Sequence, residues 1–339
     1  MIIPLPSPPR KILIIKPSAI GDVVHTLPIL NLLRLQFPSA HISWLLTPVC
    51  AGLLDAHPQL NEIILFERKR FGESWHNPAA AKGLFAFAKN LRDRQFDLVI
   101  DLQGLLRSGW LAWQTRAAVR VGLANAREFA WLAYTHRVRT GTMHQHAIER
   151  YLSVVEALGC GRAPVQFPFA TDAHDRAYVD TLVKNAGPFA VLLPGTNWLT
   201  KRWPIEYFAQ LVEPLRARWN LNTVIAGGSD VIPLAEQIPR AINLCGKTNL
   251  RQLTALLERA DLVIANDSGP MHIANALGKK LITLFGPTSA VRTGPYQRPD
   301  TVVRMDIPCS PCYSRKCNHQ SCMRWLTPEK VLGSVGETR

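Results

Sequence analysis

At 339 residues, 47% of them apolar, the chain is long for one core and suits two domains of ordinary size. It has no run of 18 uncharged apolar residues, which excludes a membrane-spanning helix, and its opening MIIPLPSPPRK is too broken by proline for a signal peptide. Thirty-nine basic against 25 acidic residues give +14 and call for an anionic partner or surface, yet no nucleic-acid motif or long basic run is present, so nucleic acid is not expected to be that partner.

From the N-terminus, KILIIK at 11–16 reads as a buried strand, followed by Pro17-Ser18-Ala19-Ile20-Gly21-Asp22 and a helix over 23–36. Strands are predicted next over 42–46, 63–66, 98–102 and 119–122, and helices over 79–94, 105–115 and 145–158. The stretch 159–168, with Cys160, Gly161, Pro164 and Pro168, reads as a linker and divides the chain into 1–165 and 166–339. The second half predicts helices over 173–186, 205–218, 250–258 and 270–277, interleaved with strands over 190–193, 223–226, 262–265, 281–285 and 301–304. Such alternation gives right-handed crossovers and parallel sheets, so the fold class is α/β.

Three strand ends carry chemistry. After 262–265 the chain turns polar at Asn266-Asp267-Ser268-Gly269, and Pro270 suits the first turn of a helix. The unpaired N–H groups of such a helix start make a site for phosphate or diphosphate, with His272 on the first turns. An ordinary helix cap is the plainer alternative. After 190–193 the loop Gly195-Thr196-Asn197 leads to Lys201, which brings a point charge, and to Trp203-Pro204, which suits a hydrophobic contact before the next helix. Asp22, after the first strand, either caps a helix or sits in a site above the sheet. His25, one turn on, could orient it, although a packed helix histidine is the plainer reading. Neither GxGxxG nor GxxxxGK[ST] occurs, so these are not the common nucleotide loops. Basic residues cluster in the first half, Arg68, Lys69, Arg70, Arg107 and Arg127 among them, which fits an anionic acceptor or membrane leaflet better than a solvated surface does.

KPSAIGDVVHTLP at 16–28, DLQGLLRS at 101–108, GTNWLTKRWP at 195–204, NDSGPMHIANALGK at 266–279 and LFGPT behind it occur in one order across almost the whole chain. With these motifs the chain resembles glycosyltransferase family 9, the heptosyltransferases that build the inner core of bacterial lipopolysaccharide. The resemblance implies a GT-B fold, two Rossmann-like parallel-sheet domains facing across a cleft, with acceptor binding in 1–165 and nucleotide-sugar binding in 166–339. It implies ADP-heptose as donor and an anionic lipopolysaccharide core, ending in Kdo or heptose, as acceptor. It places the enzyme in the cytoplasm, in peripheral contact with the inner face of the inner membrane.

By the same resemblance Asp22 matches the catalytic base. Thr196, Asn197 and Lys201 match diphosphate-binding positions, with Asp267, Ser268, Gly269 and His272 completing the donor site. Acceptor binding falls to Arg68, Lys69, Arg70, Arg107 and Arg127. No two Asp residues stand two apart, so the Asp-x-Asp metal device is missing and an inverting reaction without a metal cofactor is expected. One position departs from the family. An acidic residue there commonly binds the ribose, whereas this chain has Pro233, with Asp230 nearby as a substitute or a cap; nucleotide identity is thereby left open. Transfer to a protein or to a different glycan, and a nucleotide-sugar-binding protein without activity, are the alternatives.

Seven cysteines in a chain without an export signal suit reduced thiols or metal ligands in the cytoplasm. Cys309-x2-Cys312-x4-Cys317-x4-Cys322 is dense enough for structural zinc or iron, although no second Cys-x2-Cys follows and free thiols stay open. Similar cysteines occur in many family members, and protein-modifying heptosyltransferases have a related finger.

Overall fold

The computed structural model describes residues 2–142 and 144–336. The chain divides into two compact units, Met1–Ala170 and Thr171–Arg339. Among the described residues, no helix is long and apolar enough to cross a membrane.

The first unit runs β1 (Lys11–Ile15), α1 (Ile20–Gln36), β2 (His41–Leu46), α2 (Pro48–Ala51), β3 (Glu62–Leu65), α3 (Arg68–Gly72), α4 (Pro78–Asp93), β4 (Leu98–Asp101), α5 (Leu106–Gln114), β5 (Val119–Leu123), β6 (His136–Val138) and α6 (Ala147–Ala157). Its strands are all parallel, in the order β3-β2-β1-β4-β5-β6. In β1 the four residues after Lys11 are fully buried, the mark of a strand covered on both faces. Helix α1 is buried from Val23 through Leu33 and packs against α6, so it is enclosed rather than laid on the surface.

This helix begins at Ile20, three residues before its sequence pattern predicts. A glycine beside a strand end reads as a turn, but Gly21 is helical here and Ala19 is the extended residue ahead of the first turn. Asp22 lies inside that turn, and its Oδ2 accepts the Ala19 N–H at 3.0 Å.

The second unit runs α7 (Ala173–Val183), β7 (Phe189–Leu193), α8 (Ile205–Trp219), β8 (Asn222–Ile225), α9 (Ile232–Ala235), β9 (Ile242–Asn243), α10 (Leu250–Arg259), β10 (Leu262–Asn266), α11 (Gly269–Ala276), β11 (Leu281–Phe285), α12 (Ala290–Thr293), β12 (Val302–Arg304), α13 (Ser321–Arg324) and α14 (Pro328–Gly333). The sheet order is β12-β11-β10-β7-β8-β9, again all parallel. One core gathers β7, β8, β10 and β11 with α8 and the tail helices through Leu192, Ile264, Phe208, Met323 and Leu326. Strands β6 and β9 have no counterpart in the sequence reading: they are two or three residues long and only partly buried, and they lack the apolar run that marks the equally short β12.

Numbered from its own first strand, each sheet reads 3-2-1-4-5-6. The order therefore reverses at β1/β4 in one unit and at β7/β10 in the other. In open α/β sheets, ligands collect beyond the carboxyl ends of the strands at such a reversal. Asp22 follows β1, loop 194–203 follows β7, and Asp267 follows β10.

Candidate active site

In the first unit the site is built on Lys16 and Asp22. Lys16 directly follows β1, and its Nζ lies 3.3 Å from Asp22 Oδ1. The lysine side chain is 4% exposed and the aspartate 36%, so the cation is enclosed while the carboxylate reaches solvent. The ammonium also sits 5.3 Å from the ring centre of buried Tyr151 on α6. Burial acts against the Lys16 charge, but the Asp22 carboxylate and the Tyr151 hydroxyl outweigh it and hold the ammonium above its ordinary range. His25 is buried with its ring centre 5.1 Å from that of His146, edge to face, which is the packed-histidine arrangement.

Across the reversal, Asp101 ends β4 fully buried. Its Oδ1 accepts the Gln103 and Gly104 N–H groups, and its Oδ2 accepts the Tyr134 hydroxyl at 2.7 Å. Burial pushes this carboxyl up, against the hydrogen bonds that favour its ion. Asp101 thus folds the loop that leads into α5 and to exposed Arg107. Of the other basic residues singled out by sequence, Arg68 reaches the Asp22 loop, with Nη1 3.4 Å from Ser18 Oγ. Arg70 is paired with Glu67 at 2.9 Å, while Lys69 and Arg127 are exposed. The backbone N–H of Arg127 closes the same loop onto the Gly104 carbonyl.

In the second unit, buried Asn266 staples the loop after β7 to the end of β10: its Nδ2 donates to the Pro194 carbonyl at 2.8 Å, and its Oδ1 accepts the Trp203 N–H at 3.2 Å. Trp203 itself is buried and donates from Nε1 to the Leu326 carbonyl, closing the loop onto the core. A Cβ on Gly195 would meet Val231 Cγ2 at 2.6 Å, so glycine lets these segments touch. Within the loop, Thr196 Oγ1 donates to the Asp267 carbonyl at 3.0 Å and Lys201 Nζ lies 2.7 Å from Asp267 Oδ2. That oxygen also accepts the Thr288 hydroxyl at 2.5 Å. Here the exposures are 17% for the lysine and 6% for the aspartate. Two cations, Lys201 and Arg315, lie 4.7 and 4.6 Å from the ring centre of Trp198.

Ser268 caps α11 in extended geometry, and its hydroxyl is buried with no hydrogen-bond partner among the described residues. Gly269 opens the helix and His272, mostly buried, follows in its first turns. A partly exposed ammonium and a helix N-terminus lie beside a buried hydroxyl, groups of the kind that suit an anion. The structure thus gathers Thr196, Lys201, Asp267, Ser268 and Gly269; Asn197 is exposed in the same loop. Pro233 lies in α9, whose cap residue is Val231, and Asp230 sits in the turn before it, so Asp230 is not that cap. The sequence reading missed Lys16, Asn266 and Thr288. A lysine closing an otherwise apolar strand run was the available signal for the first; the other two depend on chain-distant partners.

The profile of glycosyltransferase family 9 (heptosyltransferase) matches residues 84–323. The chain belongs to this family. It is 28% identical over 304 residues to the lipopolysaccharide core heptosyltransferase OpsX of Haemophilus influenzae, covering 87% of this chain and 84% of that protein. It is 29% identical over 317 residues to lipopolysaccharide heptosyltransferase 1 of Pseudomonas aeruginosa, covering 91% and 88%. The E. coli heptosyltransferase WaaC, solved with ADP, superposes with a TM-score of 0.77 at 27% identity, covering 96% of this chain and 99% of that one. The family 9 chain is accordingly a glycosyltransferase with the GT-B fold, two Rossmann-like parallel-sheet units. The profile match contains the whole β7/β10 cluster and Arg107 of the family 9 chain but begins after Asp22.

The tail cysteines Cys309, Cys312, Cys317 and Cys322 form no disulfide and line one cavity with Thr200, Lys316 and His319. Burial, and then the charges of the other three, push the Cys322 thiol up. Among the described residues, the group of three metal-ligating types with ligand atoms within 4.8 Å of one another is Asp172, His174 and Asp175, whose two carboxylates are already held by Arg251. The tail sulfurs form no such group, whereas those of a tetrathiolate zinc site would stand roughly 4 Å apart.

Proposed function

We propose that this glycosyltransferase moves heptose from ADP-heptose to the inner core of lipopolysaccharide, at Kdo or heptose, with inversion and without a metal cofactor. The names of its relatives support the substrate class, and the complex of the E. coli enzyme with ADP supports the nucleotide. In this reading Asp22 accepts the proton of an acceptor hydroxyl as the new glycosidic bond forms and the sugar–phosphate bond breaks. ADP leaves with the bonding electrons, and attack opposite the leaving group inverts the anomeric centre. Negative charge grows on the diphosphate, where Lys201, the Ser268 hydroxyl and the N–H groups opening α11 are set to receive it. Thr196 shapes that subsite through its bond to the Asp267 carbonyl, Asp267 fixes Lys201, and Asn197 and His272 complete the donor contacts.

Arg68, Lys69, Arg70, Arg107 and Arg127 bind the phosphorylated or carboxylated acceptor sugar. A lipid-linked acceptor calls for work in the cytoplasm, at the inner face of the inner membrane. The observation that carries the reading is the cluster at β7/β10, where cation, hydroxyl and helix start converge while Asp-x-Asp is missing from the sequence. The test is turnover of radiolabelled ADP-heptose against a panel of purified core acceptors. Label moving to Kdo- or heptose-terminated core supports the proposal, and label moving only to protein or to an unrelated glycan overturns the substrate.

A further inference from the structure

Strand β1 is apolar after Lys11, and the residue that follows it is a lysine enclosed by the fold. A charge removed from water in this way needs compensation. Lys16 has it in Asp22, whose Oδ1 lies 3.3 Å away, and in the Tyr151 ring. Its own carbonyl accepts the Trp44 Nε1–H at 3.3 Å, which ties this position to β2 as well as to β1. The second carboxylate oxygen of Asp22 takes the Ala19 N–H. Each oxygen therefore has one fixed partner, and the side chain keeps 36% of its surface open to solvent.

Other titratable groups surround the pair. Cys50 of α2 feels the Asp22 charge, and its thiol is pushed up chiefly by burial. Arg68 of α3 approaches through Ser18. Tyr151 and Arg150 come from α6, with His146 ahead of it, and His25 lies on α1 itself. Among the described residues, the cation in ion-pair contact with Asp22 is Lys16.

We propose that Lys16 is a positioning residue for the transfer: held by the sheet, it locks Asp22 in one orientation and turns its free lone pairs toward the acceptor hydroxyl. This rests on the reading of Asp22 as the base. Because the Lys16 ammonium is held above its ordinary range, its charge is present throughout the pH range in which turnover is measured.

The test is steady-state turnover with donor and acceptor KM for Lys16→Met, with Lys16→Arg and Asp22→Asn alongside. Lys16→Met should lower turnover about tenfold while both KM values stay within a few fold. Lys16→Arg, which restores the charge, should return turnover toward wild type. A fall in turnover that Lys16→Arg does not reverse, or that is matched by a rise in both KM values, would mean a merely structural lysine and overturn the proposal. Lys16→Gln is read in the same way if melting shows that the methionine variant does not fold. Should Asp22→Asn be inactive while Lys16→Met keeps wild-type turnover, the positioning role alone fails. Should Asp22→Asn keep near-normal turnover, the base assignment fails and the positioning role with it.

Discussion

Both strand-order reversals in this molecule hold a lysine–aspartate pair, and the two pairs are turned opposite ways. At β1/β4 the lysine is enclosed and the carboxylate half-exposed; at β7/β10 the carboxylate is enclosed and the ammonium is the more exposed member. An ion pair presents to a ligand only the member that solvent can reach. An exposed carboxylate with a cation behind it can accept a proton from a hydroxyl. An exposed ammonium with a carboxylate behind it can receive a phosphate. On the proposed function, the same two residue types on the same topology serve as a base in one unit and an anion site in the other, and the deciding variable is which end is buried.

Removing the exposed member of each pair should break the comparison most sharply. Asp22→Asn should cut turnover by about 10²–10⁴, the usual range for a general base, while donor affinity stays within a few fold. Steady-state rates and ADP-heptose binding measured on the same preparation check it. Turnover within threefold of wild type would remove Asp22 from the mechanism.

Lys201→Met should act on the other side. Losing a charge-assisted hydrogen bond of about 1.5–3 kcal/mol weakens donor binding by roughly 10- to 150-fold. Its melting temperature should also fall, because Asp267 keeps Thr288 but loses its counter-charge in a buried place. Lys201→Arg should recover part of the affinity. Unchanged calorimetric binding of ADP to Lys201→Met would show that this ammonium does not face the diphosphate.

Much of this frame was legible in the sequence. Apolar runs that stop at Asp267-Ser268-Gly269 or at Pro17-Ser18 announce strand ends, and the alternating pattern placed ten of the strands and the longer helices close to their positions. What could not be read was who pairs with whom. Lys201 and Asp267 entered as two separate donor contacts, yet they bond each other across the sheet reversal, and Lys16 looked like the end of a strand. Periodicity is a local signal. Which member of an ion pair is enclosed is decided by distant packing, such as Tyr151 over Lys16 and Thr288 beside Asp267.

A smaller effect sharpens the division between acceptor and donor. The basic residues of α3 are exposed, so each contributes little alone and is screened by salt. Raising ionic strength should raise acceptor KM several fold, and donor KM, set by more enclosed groups, should change less. Replacing Arg68, Lys69 and Arg70 together by Ala should do the same. Within the three, Arg68 should matter more than Arg70, because Arg68 approaches the Asp22 loop while Arg70 is already engaged by Glu67. Equal weakening of donor and acceptor by salt or by the triple variant would end the division of labour.

The smallest expected effect is that of a chelator. If Lys201, Ser268 and the start of α11 carry the diphosphate charge, no ion is needed in the reaction and the initial rate of freshly purified enzyme should not change. Inactivation reversed at once by Mg²⁺ would show that fixed protein charge is insufficient and that the exposed ammonium is not the whole anion site. The tail cysteines give the same experiment a second readout. We propose zinc or iron there as a structural ion only: the four thiols share a cavity in the second unit, outside both lysine–aspartate pairs, and an ion would have to draw their sulfurs closer than they stand. Chelation of such an ion should appear slowly, as a lowered melting temperature with metal released in proportion to protein, and only later as lost turnover. Purified enzyme without bound metal, and with a melting temperature indifferent to chelator, would leave Cys309, Cys312, Cys317 and Cys322 as free thiols and confine the chemistry of the molecule to its two ion pairs.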